Sequence, residues 1–566
     1  MAEMILPGTY IDVRPEGLIA PGQITVGNIG VVGTAAKGPI GVPQLLGSMP
    51  DALATFGAYD SWIDPATNAK RTNELTLVRA LEQAFDQGGT IIYAVRVATS
   101  AAAKATYNVL KGTDVVAQLT AVTEGTWANA LGVNVAAATQ DKYVQNEVHS
   151  GSETPIKLKY VPKASARARV SHLVAATGVT HQLTVIYTGT AVANQALLDP
   201  VSQDVTIGDG VAAADTVTVS YLVDASNAVQ VTLQLDRAQE TYTVFDGNDL
   251  INQLSASAWV TAKAISAPFA AEKPDVMTVP PNQLPPFVPF TGGVNGEIAQ
   301  PSDYQVGLDA LLNQPAHIIV AAGQDDSFGN RLDAHCQKAS TDAIKRDRIG
   351  IVGSRSPKAG ETTEQWFDYI IGHNLDSDRI IFTAPGILAG DTPTGQEVTL
   401  PGAYTAAAFA GLLSSFDPEV SPTNKVLPVD ELEAHFDSAH LTLLLENRVL
   451  ALESRQGFHV VRGITTTTGG AFAQITTRRI VDYAKFGVRA AADPYIGLLN
   501  NERVRSALRA TLNSFLGGMV EDEMLESYDV SVTATRAQEI QGIVDVTMTI
   551  QPVFSIDFIK VTMFLQ

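Results

Sequence analysis

The segment VDVTMTIQPVFSIDFIKVTMFLQ, running from Val544 to Gln566, limits what this chain can become more than any other stretch. Val544, Val546, Met548 and Ile550 alternate with Asp545, Thr547 and Thr549, the period of a half-buried strand. Ile559, Val561, Met563 and Leu565 repeat that alternation up to the last residues. Terminal segments are usually polar and frayed. An apolar strand in that place must find a hydrogen-bonding mate, because its unpaired N–H and C=O groups would otherwise template aggregation. Two solutions exist: the strand lies inside its own sheet, or it completes a sheet in another molecule.

At 566 residues the chain exceeds what one core accommodates, so several domains are expected. It is 45% hydrophobic and 17% charged, a globular composition with less charge than usual. A net charge of −21 argues against non-specific binding to nucleic acid or to an anionic membrane surface. The single cysteine, Cys336, excludes an internal disulfide and suits a reducing compartment. The opening MAEMILPGTYIDV lacks the basic and apolar regions of a secretory signal. No run reaches the roughly 18 apolar residues of a membrane helix. A soluble chain made in the cytoplasm is expected.

Four regions separate by pattern. In the first, up to Thr99, NIGVVGTAA and TIIYAVRV read as strands around a helix in LTLVRALEQAFDQGG, with the stripe Leu77, Leu81, Ala84 and Phe85 and a stop at Gly88 and Gly89. Residues 101–284 are rich in Ala, Val and Thr, and VTVSYLV and VQVTLQL alternate as strands do. This reads as a β-rich insertion, closed by the stiff proline-rich hinge PPNQLPPFVPF. Residues 285–440 return to α/β: the buried-strand runs HIIVAAG, RIGIVGS and RIIFTAP are separated by the helical NRLDAHCQKASTDAIK and TTEQWFDYIIGHNL. A further helix, AAAFAGLLSSF, ends at Asp417-Pro418.

From residue 441 onward a polar TTTTGG turn is followed by ERVRSALRATLNSFLGGM. That is an amphipathic helix with Val504, Leu508, Leu512, Phe515 and Leu516 on one face, expected to stop at Gly517-Gly518. The expected class is α/β and α+β multidomain. A layered α/β core domain (21–100 plus 285–440) carries an inserted β-rich outer domain (101–284). A C-terminal α+β domain (441–553) follows, with extended arms at 1–20 and 554–566.

No catalytic constellation emerges. Gly27, Gly30 and Gly33 have the spacing G-x-x-G-x-x-G, without the tight first pair of a dinucleotide turn, and read as a loop between strands. Lys37-Gly38 reverses the order of a P-loop. Cys336 and His335, adjacent on a helix, point about 100° apart, which leaves a half-buried cysteine. His435 and His440 miss the i, i+4 spacing of paired ligands, the acidic run 521–526 reads as a solvated face, and no G-x-S-x-G elbow exists. No catalytic, cofactor-binding or metal residues are assigned. From the residues alone, an assembling structural protein, a nucleotide- or sugar-phosphate-using α/β enzyme with a β appendage, and a non-contractile lattice protein stay open.

Several blocks resemble one family, the tail sheath proteins of contractile-tailed bacteriophages and related contractile injection systems. PGTYIDV resembles its N-terminal arm, and GVVGTAAKGPIGVPQLLGSMPDALATFG with AFDQGGTIIYAVRV its first α/β block. EGTWANALGVNV is similar to its Gly-x-Trp-x-Asn segment, and FTGGVNGEIAQPSDYQVGLDAL to its Gly-Gly-x-x-Gly loop and following helix. VRGITTTTGGAFAQITTRRIVDYAKFGVR corresponds to the C-terminal block, which usually carries an arginine pair before a helix. Many members have a Trp-Gly-Ala-Arg-type segment where this chain has VRGITTTTGG.

The resemblance implies a non-enzymatic subunit without cofactors. Copies would stack as hexameric rings in a helical sheath around an inner tail tube protein and contract to drive the tube through the host envelope. Other partners would be baseplate and tail terminator proteins, with no direct nucleic acid and no membrane insertion. The subunit would reside in the virion tail, after assembly in the host cytoplasm. It also implies strand exchange by two inter-subunit arms: Ile5, Tyr10, Ile11 and Val13 in one, Phe554, Ile556, Phe558, Ile559, Val561, Met563 and Leu565 in the other. The acceptor hairpin would present Val530, Val532, Val544, Val546, Met548 and Ile550, and Arg503, Arg505 and Arg509 are candidates for tube or inter-ring contact.

Overall fold

In the computed structural model, residues 26–71, 75–153, 155–277, 286–296 and 298–564 are described. The chain forms two compact units: residues 1–100 with 296–566, and residues 101–295. The multidomain α/β architecture with many sheets is present.

The first unit is organised by an eight-stranded sheet. Its strands are β1 (Ile29–Gly33), β2 (Gln44–Leu46), β3 (Ile92–Arg96), β4 (Ile318–Asp325), β5 (Ile349–Gly353), β6 (Ile380–Ala384), β7 (Leu450–Ser454) and β8 (Phe458–Val460). The spatial order is β2-β3-β1-β4-β5-β6-β7-β8. All neighbours are parallel except the antiparallel edge pairs β2–β3 and β7–β8. Alternate residues feed two cores, as a sheet covered on both faces requires. Ile29, Val31, Ile318, Val320 and Ile351 face one core, and Val32, Ile319, Ala321, Val352 and Phe382 the other.

Helices α1 (Thr76–Asp86), α2 (Pro301–Leu311), α3 (Gly329–Ala339), α4 (Thr363–Ile371), α5 (Gly402–Ser414) and α6 (Ser438–Glu446) cover these faces. Helix α4 starts with a reciprocal cap: Gln365 N donates to Thr362 Oγ1 at 3.2 Å, and Thr362 N to Gln365 Oε1 at 3.1 Å. Helix α5 begins four residues before the expected AAAFAGLLSSF and is buried all round from Gly402 to Leu413, which explains why its sequence shows no polar face.

Three sequence expectations change. Gly30 and Gly33 lie within β1, not in a loop: a Cβ on Gly33 would sit 2.9 Å from Leu77 Cα, so α1 packs on bare backbone. The α/β sheet continues past residue 440, because Thr383 and Ala384 of β6 pair with Leu450 and Ala451 of β7. Residues 286–295 remain with the β-rich unit, since Val288 pairs with Val133. Most of the proline-rich hinge lies outside the described residues.

The second unit contains a seven-stranded, a four-stranded and a three-stranded sheet around two cores. In strand Thr216–Val223, Val217, Val219, Tyr221 and Val223 point into one core, as their alternation predicts.

The last part of the first unit is α+β. Helices α7 (Ile475–Ala492) and α8 (Glu502–Glu521) back a hairpin of β9 (Leu525–Thr533) and β10 (Asp545–Pro552), joined through the short helix α9 (Arg536–Gln541). Leu508, Leu512 and Leu516 of α8 are buried with Ile480, Ala484, Met519 and Val530, while Val504 and Phe515 pack at the edge of this core. Contrary to expectation, α8 runs through Gly517-Gly518 to Glu521. Burial of Met519 holds the extra turn against the cost of two helical glycines, about 1 kcal/mol each.

Helix α5 meets the sheet at a point without side chains. A Cβ on Gly353 would lie 1.7 Å from Gly402 O and 1.9 Å from Gly402 C, so one backbone must retreat from the other. Gly353→Ala should therefore destabilise the chain by about 1–3 kcal/mol, measured by urea unfolding of the unassembled protein.

Candidate inter-subunit surface

The hairpin is a sheet of two strands only, paired from Leu525–Pro552 to Thr533–Asp545. Its inner face carries the residues that the family resemblance implies for an acceptor. Val530 is buried, Val532, Val544, Val546, Met548 and Ile550 are half-buried, and the register places Val530 opposite Met548 and Val532 opposite Val546. Helix α8 supports this face, with Tyr528 Oη donating to Asn513 O at 3.0 Å. Among the described residues no third strand covers either edge, so each edge offers a row of N–H and C=O groups to an incoming strand.

The segment after the hairpin does not pair with a strand of its own chain among the described residues. Phe554–Phe564 forms no strand among the described residues, so the strand that its alternation predicts is absent from a single copy. Phe554 is 59% exposed, and Ile556, Phe558, Ile559, Val561, Met563 and Phe564 are 74–88% exposed. With no strand beside it, the alternation has no sheet to lie on. Leu565 lies outside the described residues, as do Ile5, Tyr10, Ile11 and Val13 of the N-terminal arm.

The three arginines of α8 divide. Arg503 and Arg509 lie on its exposed side. Arg505 is turned inward, with its side chain 10% exposed. Its Nη1 donates to Asn500 Oδ1 at 2.8 Å and Glu539 Oε1 at 2.9 Å, and its Nη2 to Glu502 Oε2 at 3.1 Å. It braces α9 against α8 and is removed from the outward contacts.

Sequence reasoning missed a buried ion network that fixes α7 on the α/β sheet. Asp347, just before β5, accepts from Arg489 Nη1 at 2.5 Å and from Lys485 Nζ. Arg379, just before β6, donates to Asp482 Oδ2 at 2.9 Å and reaches Asp347 Oδ1 at 3.4 Å. Arg478 joins Asp378 at 2.9 Å and Asp482 at 2.6 Å. Its neighbour Arg479 donates to Phe416 O at 2.7 Å and Asp417 O at 3.0 Å, and burial pulls its pKa down to about 10. The arginine pair thus sits within the first two turns of α7, not before it. The signal was present as a repeated Asp-Arg step, Asp347-Arg348 and Asp378-Arg379, directly before two apolar strands. Arg348 is spent differently: it donates to Leu312 O and Gln314 O, both at 3.0 Å, capping the end of α2.

The cysteine and the histidines are engaged in burial and pairing contacts. Cys336 is fully buried rather than half-buried, and burial pushes its thiol up to about 12. Burial, with the Arg348 guanidinium, pushes His335 down to about 3, and its Nε2 accepts from Arg348 Nη1 at 3.0 Å. His435 and His440 pair with separate carboxylates on the surface, Glu431 and Asp437. In the run 521–526 the four acids are exposed, while Met524 and Leu525 are buried. Among the described residues no group of three or more His, Cys, Asp or Glu is placed to hold a metal ion.

Residues 298–466 match the family model described as the phage tail sheath protein central domain, and residues 467–566 the phage tail sheath C-terminal domain. The tail sheath protein of Staphylococcus phage Twort is 23% identical over 302 residues, 50% of this chain and 49% of that relative. The chain thus spans about half the length of the curated relative it matches. Two solved structures share the fold over nearly their whole length. The sheath tail protein from Desulfitobacterium hafniense has a TM-score of 0.57 at 15% identity, covering 97% of both chains. The sheath tail protein from Listeria innocua has a TM-score of 0.58 at 12% identity, covering 95% of both. Residues 298–566 thus carry the central and C-terminal domains of the phage tail sheath family.

Two measurements check the buried groups. Burial opposes ionisation of Asp347, but its bonds from Lys485 and Arg489 prevail and hold its carboxyl below the ordinary range. A depressed carboxylate stabilises the fold above the unfolded value, about 3.9, and loses that contribution as pH falls through the folded value. Asp347→Asn should cost about 3 kcal/mol near neutral pH and flatten the acid limb of stability below about pH 4, read by urea unfolding across pH. Cys336 should resist thiol reagents at about pH 8 in the folded chain and react once the chain is unfolded.

Proposed function

We propose that this chain is a structural, non-enzymatic subunit of a contractile tail sheath. It polymerises into a helical stack of hexameric rings around an inner tail tube and contracts to drive that tube through a host envelope. The baseplate and a tail terminator bound the stack, and the subunit resides in the tail of a virion assembled in host cytoplasm. A sheath of a phage-derived injection particle uses the same chemistry and is compatible with the same observations.

One observation carries this reading beyond the matched domains: a hairpin with two open edges and an exposed apolar segment with no strand partner belong to the same chain. Each is half of a joint. Phe554–Phe564 of one copy adds as a strand to the hairpin of a neighbour, and the N-terminal arm takes the other edge in a further copy. Backbone hydrogen bonds give that joint strength with little sequence demand, while alternate side chains such as Ile559, Val561 and Met563 set its register. Because a head-to-tail joint of this kind need not close on itself, it yields an open helical array.

Strand exchange lets copies rotate and slide without parting. The energy for contraction then resides in the lattice: an added ~400 Å² of apolar burial per copy, at about 25 cal/mol per Å², amounts to roughly 10 kcal/mol. The exposed Arg503 and Arg509 remain the proposed tube or inter-ring contacts on α8.

Deletion of residues 555–566 should leave a soluble, folded monomer that forms no long tubes in electron micrographs, where the full chain forms wide, hollow, striated cylinders. Polymerisation of the truncated chain at the full-length level would refute strand exchange. Misfolding would show that the segment belongs to its own core.

A further inference from the structure

Phe554–Phe564 is not free along its whole length. Burial changes abruptly within it: the Asp557 side chain is 6% exposed, whereas Phe558, the next residue, is 80% exposed. A carboxylate in a segment without secondary structure reaches that burial only if it is held. Arg462 Nε donates to Asp557 Oδ2 at 2.8 Å, Gln474 Nε2 to the same oxygen at 3.1 Å, and Thr423 Oγ1 to Oδ1 at 3.4 Å. Two residues before it, Ser555 N donates to Gln474 Oε1 at 3.3 Å, and Gln474 Nε2 returns to Ser555 O at 3.4 Å. The Arg462 guanidinium also lies 5.3 Å from the centre of the Phe558 ring.

The holders are placed by the rigid parts of the unit. Arg462 follows β8, the edge strand of the eight-stranded sheet, and Gln474 is the N-cap residue of α7. Thr423 is itself fixed, its Oγ1 accepting from Gly463 N at 3.0 Å. The matched central and C-terminal domains therefore both grip one aspartate.

We propose that Arg462, Gln474 and Thr423 form a latch on Asp557 that aims Phe558–Phe564 at a second copy of this chain. This rests on the strand-exchange reading above. An untethered tail would search many directions, and each docking would bear the full loss of that freedom. A tail pinned at its root loses less on binding, the advantage of preorganisation. The latch also passes load from the exchanged strand to the sheet edge through Arg462 and to α7 through Gln474, so that tension does not fall on the hairpin alone. Asp557 acts here as a positioning residue, through the segment it aims.

The test uses the full chain and follows light scattering and electron microscopy against protein concentration. Asp557→Ala and Arg462→Ala should each raise the concentration for half-assembly at least about fivefold. The Tm of the unassembled chain should move by less than about 2 °C. Hydrogen exchange at the Ser555 amide of the unassembled chain should speed up at least about tenfold when Asp557 is removed. The latch is overturned if Asp557→Ala assembles at the wild-type concentration while deletion of residues 558–566 blocks assembly; strand exchange then still stands. A matching fall in Tm overturns it too, by marking a contact that merely holds the fold. If the deletion itself assembles like the full chain, the strand-exchange reading fails and the latch has no purpose.

Discussion

A two-stranded ribbon with both edges open cannot be a finished object. Its outward N–H and C=O groups need partners, and two strands alone are marginal in water. Here the ribbon is kept in order by helices α7 and α8, which bury Val530 and half-bury Val532, Val546, Met548 and Ile550. The same backing leaves the edges uncovered by any further strand among the described residues. The fold thus stabilises one face of the ribbon while leaving its hydrogen bonding incomplete, which is what an acceptor for a strand requires.

That arrangement works only if the ribbon is fixed to the rest of the unit. The connection is electrostatic where it is buried. Asp347 and Arg379 from the sheet meet Asp482, Lys485 and Arg489 from α7, with Arg478 linked to Asp378. Buried ion pairs contribute little net stability against an apolar alternative, but they are costly to break singly and permit only one geometry. They suit a joint that must hold direction. Close backbone contact does the equivalent work inside the α/β layer, where Gly353 and Gly402 let α5 lie directly on the sheet.

Family likeness and geometry answer different questions. The matched domains identify the kind of molecule, and the likeness to solved sheath tail proteins describes its fold. Neither says how a single copy holds its exposed terminal segment. The contacts of Asp557 address that step, since they order the root of the segment while leaving Phe558, Ile559, Val561, Met563 and Phe564 uncovered.

Local periodicity made much of this legible in the chain itself. The apolar runs at Ile318, Ile349 and Ile380, the stripe of α1 and the face of α8 are short-range patterns, and burial follows them closely. The alternation of Val544–Ile550 likewise marks the inner face of the hairpin. What escaped the sequence depends on residues far apart in it. Gly30 and Gly33 resemble a loop until Leu311 of α2 is seen against the first and α1 packed on the second, and Gly517-Gly518 resembles a helix stop until the burial of Met519 is included. Arg505 carries the same charge as Arg503 and Arg509, yet Glu539 of α9, together with Asn500 and Glu502, holds it inward. Asp557 reads as one more polar residue in an alternating strand, and its burial follows from Arg462 and Gln474 arriving from 95 and 83 residues away. Spacing along a chain encodes the face a side chain presents; which distant group meets it there is fixed by packing alone.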